Sequence, residues 1–116
     1  MKVKSCEVFF GASKCDFDVR EILRSRFGLD VYAMILHNKS EVVPHYHIYL
    51  QFTYPTDLFE VAQVFKIPTG QVYEFSSDLS SVLKYLLHWN SFDSGSSDVY
   101  SKDDLFTNIN LDVYLK

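Results

Sequence analysis

The chain has 116 residues, 47% of them hydrophobic and 16% aromatic, and a formal net charge of −4. That is the length of one domain with enough apolar residues to bury a core. No bilayer-spanning segment is expected, because no apolar run is long enough, and no secretory leader is expected, because residues 1–6 lack an apolar stretch.

Residues 3–10 read as a strand (Val3, Cys6, Val8, Phe9, Phe10) that runs into Gly11. Asp16 or Asp18 can cap a helix through about Phe27, with Gly28 as its stop. Leu29–Leu36 is apolar and β-prone. A short polar connection, 37–41, leads into a strand over Val42–Thr53, so these two strands are expected to form an antiparallel hairpin. Pro55-Thr56-Asp57 opens a helix with Leu58, Val61, Ala62 and Phe65 as its buried stripe. Gln71–Phe75 is a short strand, Asp78 caps a helix through about Trp89, and 90–101 is a Ser/Asp/Gly-rich loop. Residues 103–116 carry a weak helical or extended pattern. The order β-α-β-β-α-β-α predicts an α+β fold of the ferredoxin-like, split βαβ kind. The first six elements match a central antiparallel sheet with helices on one face, and the whole is a single domain over 1–116, its sheet flanked by helices.

Two cysteines, Cys6 and Cys15, make neither a disulfide framework nor a zinc knuckle; free thiols in a reducing cytoplasm are expected. The acidic balance is unlike the basic footprint of most nucleic-acid binders, but it is uneven. Residues 1–50 hold seven Lys+Arg and six Asp+Glu; residues 51–116 hold four and nine. Lys2, Lys4, Lys14, Arg20, Arg24, Arg26 and Lys39 form either a local basic surface or, for the arginines, the solvated face of a helix.

The strongest chemical signal is Pro44-His45-Tyr46-His47. Alternation along a strand puts His45, His47, Tyr49 and Gln51 on one face and Tyr46, Ile48, Leu50 and Phe52 on the other. Imidazole is a common ligand for divalent metals, and two on one strand leave room for a substrate. A third ligand should come from the neighbouring strand or connection: His37 is the best placed, and Glu41 is a harder oxygen donor nearby. In the helix after Asp78, Leu79, Val82, Leu83 and Leu86 form the core stripe. Tyr85 falls about 110° from its centre and His88 opposite it. A tyrosine hydroxyl at the edge of that helix, beside a metal, suits nucleophilic attack on a phosphodiester.

Together these residues resemble the HUH endonuclease domain of rolling-circle replication initiators, most closely the plasmid Rep family with RepB-type members. Pro44-His45-Tyr46-His47 and Tyr85-Leu86-Leu87-His88 carry the likeness. His37-Asn38-Lys39-Ser40 stands where the family commonly has His-Asp-Lys-Asp. Segments 99–104 and 107–114 resemble the stretch after the tyrosine helix. The resemblance implies that His45 and His47, with His37, bind Mn²⁺ or Mg²⁺. Ser40 replaces a carboxylate there and is a poorer ligand for a hard cation, with Glu41 next to it as a possible substitute. The resemblance also implies that Tyr85 attacks a phosphate in single-stranded origin DNA, forming a 5′-phosphotyrosine bond and freeing a 3′-OH for the host replication machinery.

Lys39, Lys84 and His88 are candidate DNA contacts, Lys84 could also lower the Tyr85 pKa, and Tyr49, Tyr54 and Trp89 are candidate base-stacking rings. No membrane partner is expected; any oligomer would form through regions outside this chain. The rival functions are a catalytically impaired origin-DNA-binding module and a relaxase-like nickase for plasmid mobilisation.

Overall fold

A computed structural model of the chain describes residues 2–14, 18–38, 43–89 and 99–115. Five strands, β1 (Lys2–Gly11), β2 (Leu29–His37), β3 (His45–Asp57), β4 (Val72–Glu74) and β5 (Phe106–Thr107), form one sheet in the order β4-β1-β3-β2-β5. All neighbours are antiparallel. β3 lies between β1 and β2, and β1 lies between β3 and β4, so each β-α-β unit is split by a strand from the other. This is the α+β, split βαβ plan expected from the sequence.

The helices α1 (Val19–Ser25), α2 (Leu58–Phe65) and α3 (Leu79–Leu86) each begin at an aspartate. The carboxylates of Asp18, Asp57 and Asp78 accept from the backbone N–H groups of Glu21, Phe59 and Ser81, satisfying donors that a helix start leaves open. α2 buries the stripe Leu58, Val61, Ala62 and Phe65, as its periodicity predicts.

The two helices of the first six elements share one face, as expected, and the next helix lies on the other. α1 and α2 cover one face, packing Val19, Ile22, Leu23, Val61 and Phe65 on Val8, Ile48, Leu50 and Phe52. α3 packs on the other, with Val82, Leu83 and Leu86 against Val31, Ala33, Ile35 and Tyr49. The short helix α4 (Leu111–Tyr114) joins this second layer through Leu111 and Tyr114. The second face is apolar in its middle, so it too must be removed from water. Tyr49 is 3% exposed within that layer, which rules it out as a base-stacking ring. Cys6 is buried and free, and burial pushes its thiol up to about 12, so it is inert. Among the described residues, no helix is long and apolar enough to cross a membrane.

Candidate metal centre and tyrosine

The face under α3 turns from apolar to polar at one end of the sheet. His37 is the last residue of β2 and pairs with His45, the first of β3; His47 lies two residues on, opposite Phe9 of β1. One potential ligand atom from each of these histidines lies within 4.8 Å of the other two. The hydrogen bonds assign which nitrogen is available. His37 Nε2 is 2.8 Å from the Leu86 carbonyl, His45 Nδ1 is 2.8 Å from the Val43 carbonyl, and His47 Nδ1 is 2.8 Å from Glu7 Oε1. A carbonyl only accepts, so His37 and His45 must donate there, and the carboxylate takes the His47 proton in the same way. This leaves lone pairs on His37 Nδ1, His45 Nε2 and His47 Nε2. Two of them, on His37 and His45, stand 3.4 Å apart. In neutral rings, lone pairs facing each other at that distance repel, and a bound cation would remove the repulsion. An acceptor behind each imidazole is the usual outer arrangement of a metal site. The donor set therefore fits a divalent metal.

His37 is 3% exposed. Burial, followed by the nearby His47, His88 and His45 rings, lowers its pKa to about 4, although the Leu86 carbonyl pulls the other way. The ring is therefore neutral, as a metal ligand must be, across the physiological range.

Glu7 joins this cluster to the tyrosine. It is 1% exposed on β1. Its Oε1 accepts from His47 and, at 3.1 Å, from the Tyr85 hydroxyl. Tyr85 is 40% exposed and its ring lies edge-on to His47, with centroids 6.4 Å apart. The flank position read from the helix thus brings the phenol over the sheet. Its pKa is raised by burial and by the Glu7 charge. Lys84 is not among the groups that shift it, so the expected lowering by Lys84 is not seen.

His88 also departs from its expected place opposite the core stripe. The helix has ended by then. Trp89 N–H bonds back to the Lys84 carbonyl, and His88 takes a left-handed backbone (φ 63°), closing a Schellman-type turn. The turn swings His88 onto His37, with ring centroids 4.2 Å apart, so all four histidines of the chain gather here. His88 is a neighbour of the cluster.

The chain is similar to a replication protein. That protein, "Replication protein" from Onion yellows phytoplasma (strain OY-M), is 26% identical over 117 residues, covering 84% of this chain. The chain spans only 31% of that protein's length. No family model matches the chain.

Other expected site residues distribute as follows. Lys39, Ser40 and Glu41 lie outside the described residues. Trp89 is half-buried and donates its indole N–H to the Tyr100 carbonyl. Tyr54 is exposed, near the far end of β3 from the histidines. Arg20 and Arg24 lie over the Phe106 ring, at 4.7 and 5.3 Å, on the opposite side of the sheet from the histidines.

Two participants escaped the sequence reading. One is Glu7, whose signal was a lone carboxylate inside an apolar strand. The other is Tyr100, buried beside His37 at 5.0 Å, whose hydroxyl accepts from Asn38 N–H. That bond ties the segment after the tyrosine helix to the end of β2.

Proposed function

We propose that this chain is the nicking and joining domain of a rolling-circle replication initiator, acting on single-stranded origin DNA through Tyr85. The observation that supports it most is the shared Glu7 oxygen, which couples the three-histidine cluster to a tyrosine hydroxyl on one partly open face. The likeness to a named replication protein agrees with the setting.

His37, His45 and His47 would hold the metal, and three imidazoles favour Mn²⁺ over the oxygen-seeking Mg²⁺. When bound, the metal supplies a Lewis acid that polarises the scissile phosphate. The chain's residues do the rest. Glu7 fixes the His47 tautomer and holds the hydrogen that Tyr85 must lose. The Tyr85 oxygen forms a bond to phosphorus as the bond from phosphorus to the 3′-oxygen breaks, and that oxygen takes up a proton. The products are a 5′-phosphotyrosine and a free 3′-OH from which a host polymerase can extend. The reverse attack, by a 3′-OH on the phosphotyrosine, rejoins a strand.

The test is a denaturing gel after incubation with a randomised single-stranded DNA pool and Mn²⁺ or Mg²⁺. A covalent protein–DNA band, stronger with Mn²⁺ and absent with chelator, is expected. DNA binding with no covalent band under any metal would replace this reading with that of an origin-binding module.

A further inference from the structure

Between the histidines and the β4 edge, the same face of the sheet carries two rings that neither core layer uses. Phe9 pairs with His47 and Tyr73 with Glu7 across neighbouring strands, so both side chains emerge on the histidine face. Phe9 is half-buried and lies stacked on His47, with centroids 6.1 Å apart and 20° between the planes. Tyr73 is 38% exposed and meets Phe9 edge-on at 6.0 Å. Neither ring belongs to the core under α1 and α2 or to the core under α3. β4 ends the sheet on this side, so an aromatic surface runs outward from His47 to an open edge. The carboxylates of these strands do not meet it: Glu7 is 1% exposed, and Glu74 pairs with Cys6, a core residue of the other face. β4 carries no lysine or arginine, and those of β1, Lys2 and Lys4, stand at its opposite end.

We propose that Phe9 and Tyr73 are a stacking shelf for the bases of single-stranded DNA on one side of the phosphate that Tyr85 attacks. The inference rests on the nicking reaction proposed above, which puts that phosphate beside both His47 and the Tyr85 oxygen. A strand held there must leave across the surfaces that flank the two groups. Toward β4 that surface is rings without cations. It suits bases rather than phosphates, because every base has a π-face and a phosphate needs a positive partner. Stacking tolerates any base, so the shelf supplies affinity and fixes the path of the strand without reading its sequence. It also gives a chain of net charge −4 a hold on nucleic acid that does not depend on a basic surface.

The experiment is DNA binding without metal, followed by fluorescence anisotropy, so that it does not depend on nicking. The wild type, Tyr73→Phe, Tyr73→Leu and Phe9→Leu are titrated with the randomised single-stranded pool and with a strand of the same length built of abasic residues. Melting curves show whether each variant is folded; Tyr73→Leu, at an exposed sheet edge, decides alone if Phe9→Leu is not. Tyr73→Leu and Phe9→Leu should each bind the pool about tenfold more weakly, while Tyr73→Phe, which keeps the ring, stays within about twofold. On the abasic strand all the proteins should agree within about twofold. Tyr73→Leu binding the pool like the wild type would overturn the shelf. So would equal losses on the pool and the abasic strand, since no base would then be involved, or a wild type that binds the two DNAs alike. The nicking reaction is judged separately, by the covalent adduct with Mn²⁺. Ring-dependent binding without an adduct would keep the shelf and remove the nicking; an adduct with ring-independent binding would do the reverse.

Discussion

The two faces of the sheet differ in kind. Under α1 and α2 the face is apolar nearly from end to end, from Phe10 and Tyr46 through Ile48 to Phe52. Under α3 the same strands are apolar only in the middle, at Val31, Ala33, Ile35 and Tyr49. Beyond that they carry His37, His45, His47 and Glu7, each with an oxygen acceptor or donor placed against it. Both faces come from one alternation along β3, with Ile48, Leu50 and Phe52 serving one layer and Tyr49 the other. The lesson is that the domain separates its tasks by face: one side supplies stability, and the end of the other is free to hold costly polar groups. The buried His37 imidazole and the buried Glu7 carboxylate are tolerated because each is paired.

This contrast can be broken in four places. The largest effect is expected on the reactive face: Tyr85→Phe should reduce covalent adduct on a denaturing gel by more than about a thousandfold, with thermal stability nearly unchanged. Next comes the supporting face. Phe65→Ala should cost about 3–5 kcal/mol in urea unfolding, while Mn²⁺ affinity and nicking per folded molecule stay at wild-type levels. If that core substitution also abolished metal binding, the two faces would not be independent. Third, Glu7→Gln weakens the acceptor that fixes His47, and calorimetry should show Mn²⁺ affinity falling about 10–100-fold.

The smallest effect is on pH. His37 has a folded pKa of about 4 against an ordinary value of 6.5. Between those values the unfolded chain binds a proton that the folded, metal-free chain does not. Stability should therefore fall as pH drops through the window from 6.5 to 4, by up to about 1.4 kcal/mol per pH unit. Melting curves with chelator should show this slope, and His37→Gln should flatten it.

Local patterns made much of this legible. Strand alternation put His45 and His47 on one face, the short connection put His37 beside them, and helical periodicity put Tyr85 on the flank of α3. What stayed hidden depends on long-range pairing. Glu7 meets His47 and Tyr85 only because β1 pairs with β3 and because α3 covers the second face, and neither can be read from residues 2–11. Nothing in the stripe of α3 says which face it will cover. His88 was misplaced because a helical wheel was continued past Leu86, where the left-handed turn ends the period. Tyr49 looked like a member of the polar face because it alternates with the histidines, but it lies where that face is already covered.

The most direct test is peptide mapping, by mass spectrometry, of the covalent DNA adduct formed with Mn²⁺. The account predicts a phosphotyrosine at Tyr85, lost with chelator and lost when His47 is replaced by alanine. An adduct on another residue, or one that forms without metal, would contradict it.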